Sequence, residues 1–121
     1  MFLSEQALHH ALERVQAAFP HFTHWEYVND RDEGVLGGCS LWGRFVLNPD
    51  EIMPRYFYIT FATYTDHWSG HVTIGQHYYF WTSADVGDAH ILDTAECTTL
   101  EEAIVALKAE IVRLFSAFSG A

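Results

Sequence analysis

Two neighbouring segments, Arg55 to Thr65 and His71 to Thr82, are crowded with aromatic and β-branched residues that alternate in type along the chain. Successive side chains of a strand point to opposite faces, so this pattern specifies two strands and reads against a helix. The stretch Thr65-Asp66-His67-Trp68-Ser69-Gly70 between them reads as a hairpin loop. A hairpin with one apolar face needs a cover, and the rest of the chain has to supply it.

Amphipathic segments at the two ends supply that cover. Over residues 5 to 19, Leu8, Leu12, Val15 and Phe19 recur at helical spacing, with Ala7, Ala11 and Ala18 beside them. Ser4 is placed to cap this helix, Glu5 suits its first turn, and Pro20 stops it. The second helix opens after Thr98-Thr99-Leu100-Glu101-Glu102, where Thr98 with Glu101 and Thr99 with Glu102 both fit a capping box. Its apolar stripe is Leu100, Ile104, Leu107, Ile111, Leu114, Phe115 and Phe118.

Between the first helix and the hairpin lie two shorter strand patterns. One runs around Trp25 and Tyr27, the other from Val35 to Leu47, where Gly37-Gly38 and Gly43 suggest a bulge or bend. Polar turns at Asn29–Gly34 and Thr82–Asp88 and the loop Asn48–Glu51 separate the segments, and Ala89 to Glu96 reads as a last strand. The expected fold class is α+β. It is a two-layer sandwich whose antiparallel sheet of four or five strands carries the N- and C-terminal helices on one face. With 121 residues, half of them hydrophobic, residues 1–121 form one domain.

Charge narrows the partners. Six Lys+Arg against sixteen Asp+Glu give a net charge of −10, and the single lysine is Lys108. Nucleic acid requires clustered cations, so no nucleic-acid partner is expected. No apolar run reaches the roughly 20 residues of a membrane span, and the N-terminus has no basic leader. Cys39 and Cys97 lie far apart in sequence, which suits two buried thiols in a reducing cytoplasm, although one bridge between them is the other option. Protonating all eight histidines would carry the charge from −10 to about −2, so poor solubility in mild acid is expected.

The distinctive feature is the sheet face that the helices leave uncovered. Phe57, Ile59 and Phe61 share one parity with Val72, Ile74, Tyr78 and Phe80 as core residues. The opposite parity, which should be polar, instead carries Tyr56, Tyr58, Tyr64, His71, His77, Tyr79 and Trp81, with Trp42 and Arg44 as candidate neighbours. Tyr, Trp and Arg dominate binding hot spots, so this face is the expected contact surface. The partner is another protein or a second copy of the chain as a homodimer. Acidity and exposed aromatics together suit an inhibitor or immunity-type protein, with loop acids steering a basic partner. The alternative is a small-molecule-binding domain or small enzyme with a His/Tyr-lined pocket on the same face.

Enzymatic chemistry finds little support. The chain lacks a Gly-x-Ser-x-Gly elbow, a phosphate-cradling glycine loop and any catalytic flank around its cysteines. His71 and His77 are about 20 Å apart along one strand and cannot share a metal. His67 and His71 with Asp66 could approach only across a loop, and Asp85, Asp88 and His90 read as a solvated turn. No catalytic residue, metal or cofactor is therefore expected.

Overall fold

The computed structural model describes residues 3–30, 38–52, 54–64, 66–76 and 89–120. Ser4 starts the first helix, α1 (Glu5–Ala18): its hydroxyl accepts the Ala7 N–H at 3.1 Å, and Glu5 lies in the first turn. Five strands follow: β1 (Thr23–Asp30), β2 (Gly38–Val46), β3 (Arg55–Tyr64), β4 (His67–Gln76) and β5 (Ala89–Asp93). The chain ends in α2 (Leu100–Ser119). Of the two possible N-caps, Thr99 is the one used. Thr99 Oγ1 accepts the Glu102 N–H, and the Glu102 carboxylate accepts the Thr98 N–H, each at 3.1 Å. Gly120 closes the helix at φ 78°, a left-handed conformation that favours glycine.

The strands form one antiparallel meander in the order β1-β2-β3-β4-β5. Leu8, Ala11 and Val15 of α1, its C-cap Phe19, and Leu100, Ala103, Ile104 and Leu107 of α2 share one core with Leu41, Ile59, Phe61 and Val72 of the sheet. Both helices thus cover the same sheet face, and the α+β sandwich read from the sequence is the observed fold. Asn29 ties the layers together at one end, its side-chain amide exchanging two hydrogen bonds with the Leu3 backbone at 3.0 and 2.8 Å.

The structure corrects four details. The Thr65–Gly70 stretch is mostly strand: His67 already pairs with Tyr64, and Trp68 is buried in the core, where a loop residue would not sit. The bend expected at Gly43 lies instead on β1, where the register shifts beside His24 at φ 55°. Gly43 serves a close approach: a Cβ there would stand 2.5 Å from the Trp25 ring. The last strand stops at Asp93, although the chain stays beside β4, bonding Thr94 to Gly70 and Cys97 to Trp68. Finally, the apolar stripe of α2 outruns the sheet. Leu107 is fully buried, but Phe115 is 62% and Phe118 81% exposed, because a 20-residue helix extends about 30 Å.

The register also decides the cysteine question. Cys39 aligns with Thr63, Thr63 with Trp68, and Trp68 with Cys97. Three inter-strand steps of about 4.8 Å separate the two residues, beyond the reach of a disulfide. Both are free thiols.

Candidate binding face on the uncovered side of the sheet

Register and alternation arrange the face opposite the helices in rows that cross the strands. One row runs Glu26, Trp42, Thr60, His71, Asp93; the next runs Arg44, Tyr58, Thr73, His90. Tyr56 stands beyond Tyr58 on the same strand, paired with Val46 on one side and Gly75 on the other. No described helix packs on these residues.

On β2 and β3 the aromatic groups are locked to one another. The Tyr56 and Tyr58 rings meet edge to face with centroids 6.0 Å apart, and the Arg44 guanidinium lies 4.9 Å from the Tyr56 ring centroid. Beside them, the Trp42 indole N–H donates to the Glu26 carboxylate at 3.1 Å. Burial raises the Tyr58 phenol above its ordinary pKa, with Arg44 opposing that shift. The Arg44 Nε is buried and has no hydrogen-bond acceptor among the described residues. A buried charged donor without an acceptor is costly.

On β4 and β5 the face changes character. His71 Nδ1 lies 2.6 Å and His90 Nδ1 3.1 Å from the same oxygen, Asp93 Oδ1. Behind His71, its Nε2 is 2.9 Å from Ser69 Oγ. The two imidazoles meet edge to face, centroids 5.9 Å apart. Hydrogen bonding from His71 holds the Asp93 carboxyl below its ordinary pKa; burial opposes this, and the weaker hydrogen bond from His90 adds to the lowering. This convergence depends on a β-bulge. His90 and Asp93 are three residues apart and would face opposite ways on a regular strand. The register shift between Val72 and Thr73 absorbs Ile91 and puts both on the uncovered face.

Of the residues singled out in the sequence, the structure brings Tyr56 and Tyr58 together with Arg44 and Trp42, and sets His71 two strands from Trp42. The backbone of Tyr64 ends β3, but its side chain lies outside the described residues, as do His77, Tyr79 and Trp81 entirely. So do the turn residues 31–34 and 82–88. The proposed grouping of His67, His71 and Asp66 does not form: four residues of one strand, about 13 Å, separate the two histidines. Sequence reasoning missed the joining of His90 and Asp93 to His71, and no alternation could have revealed it, because the bulge breaks the alternation. Comparison with known protein families, with curated proteins and with solved structures gives no match. Among the described residues no helix is long and apolar enough to cross a membrane.

Proposed function

We propose that this chain is a small acidic protein-binding module, of inhibitor or immunity type, that docks a basic protein on the uncovered sheet face. The observation that carries this reading is the stack of Arg44, Tyr56 and Tyr58 on a face that no described helix covers. Its large rings are held by neighbours, so little conformational freedom is lost on binding. A net charge of −10 repels a second copy and attracts a basic chain, which favours a foreign partner over a homodimer. Two free thiols fit action in the cytoplasm.

The test is a pull-down from a lysate of the source cells, comparing the wild-type chain with Tyr58→Ala. Circular dichroism checks that the variant folds, and Val112→Ser on the exposed side of α2 serves as the control. A basic protein should be retained by the wild type and by the control, released by added salt, and lost with Tyr58→Ala. Loss of a buried interface aromatic costs about 2 kcal/mol or more, roughly thirtyfold in affinity. Retention that ignores Tyr58→Ala would contradict the assignment.

A further inference from the structure

We infer that His71, His90 and Asp93 form a site for a divalent transition metal, with Zn2+ as the fitting ion. One ligand atom from each residue lies within 4.8 Å of the others. Two imidazoles and one carboxylate suit zinc, whereas calcium and magnesium would require more oxygen ligands. This site was not foreseen from the sequence, and it stands independently of the protein-binding reading.

The scaffold argues for a built arrangement. His71 and Asp93 are direct cross-strand partners, and the bulge at Ile91 brings His90 to the same side, so hydrogen-bonded strands supply all three groups. Tetrahedral zinc with bonds of 2.0–2.1 Å separates its ligand atoms by about 3.4 Å. The observed separations of 2.6 and 3.1 Å from Asp93 Oδ1 to the two Nδ1 atoms therefore need only a small opening. Without metal, a proton on each Nδ1 bridges to Asp93. With metal, each neutral imidazole keeps its one proton on Nε2, and His71 donates that proton to Ser69 Oγ, 2.9 Å away. Metal-bound histidines commonly hold their second nitrogen in this way, which orients the ring and fixes its tautomer. Three protein ligands leave a fourth position for water or an outside group.

Isothermal titration of the full chain with Zn2+ at neutral pH tests the site, with circular dichroism confirming the fold of each variant. One equivalent should bind, and affinity should fall by at least about tenfold in His90→Gln and in Asp93→Asn. Ser69→Ala should weaken binding about tenfold, and His9→Gln on α1 should leave it unchanged. Histidine nitrogen spectra of the wild type give a second readout, in which zinc should shift the Nδ1 resonances of His71 and His90. Absence of binding at micromolar zinc would overturn the inference. So would wild-type affinity in Asp93→Asn and in His90→Gln, or zinc-induced shifts confined to other histidines.

Discussion

Cys39 lies on the covered face of the sheet, and burial pushes its thiol up to about 11 from an ordinary 9.0. A folded-state pKa above the unfolded one gives stability that is complete below pH 9 and is lost as pH rises through 11. Denaturation midpoints should therefore fall over that window, and Cys39→Ala should flatten part of the fall. An equal slope in the variant would show that the thiol stays neutral for no energetic reason. Gly70 matters for a different cause: a Cβ there would stand 2.9 Å from the Phe61 ring and 3.4 Å from Leu107 Cβ. Phe61 and Leu107 are both fully buried and cannot easily yield. Gly70→Ala should cost about 1–3 kcal/mol in urea denaturation. The ring pair Tyr56 and Tyr58 was legible at this scale, because strand parity alone puts both on one face. The role of Arg44 was only half legible, since its place over Tyr56 depends on the register of two strands.

At the scale of elements, periodicity was enough to specify two helices, their N-caps and the two central strands, though not the short turn that joins those strands. It was not enough where the backbone departs from its period. The bulge at Ile91 and the kink at His24 each shift a register by one residue, and a one-residue shift reverses the faces of the side chains beyond it. For that reason the cluster on β4 and β5 was invisible in the sequence. The stripe of α2 failed differently: its spacing is helical throughout, but whether sheet lies beneath its last turns is a matter of tertiary placement. The two halves of that helix should respond unequally to truncation. Leu107→Ala, at a fully buried site, should cost about 2–5 kcal/mol, whereas Phe118→Ala should change stability by less than about 0.5 kcal/mol. Equal losses in thermal or urea denaturation would mean that the last turns of α2 are covered in solution.

At the scale of the whole molecule, charge and layering act together. Arg14 of α1 pairs with Glu101 of α2 on the surface, a link between the helices that contributes at most about 1 kcal/mol, so packing holds the layer. Protonating the histidines removes most of the net charge of −10, and repulsion between copies falls with it. Light scattering should therefore show association on moving from neutral pH to mild acid, reversed on return. At neutral pH the same repulsion should keep the uncovered face available. Native mass spectrometry of the purified chain across micromolar concentrations tests this most directly. A monomer at every concentration is the expected result and leaves the face for a basic partner. A dimer that Tyr58→Ala dissolves would contradict the assignment, because the face would then be occupied by a second copy of the chain.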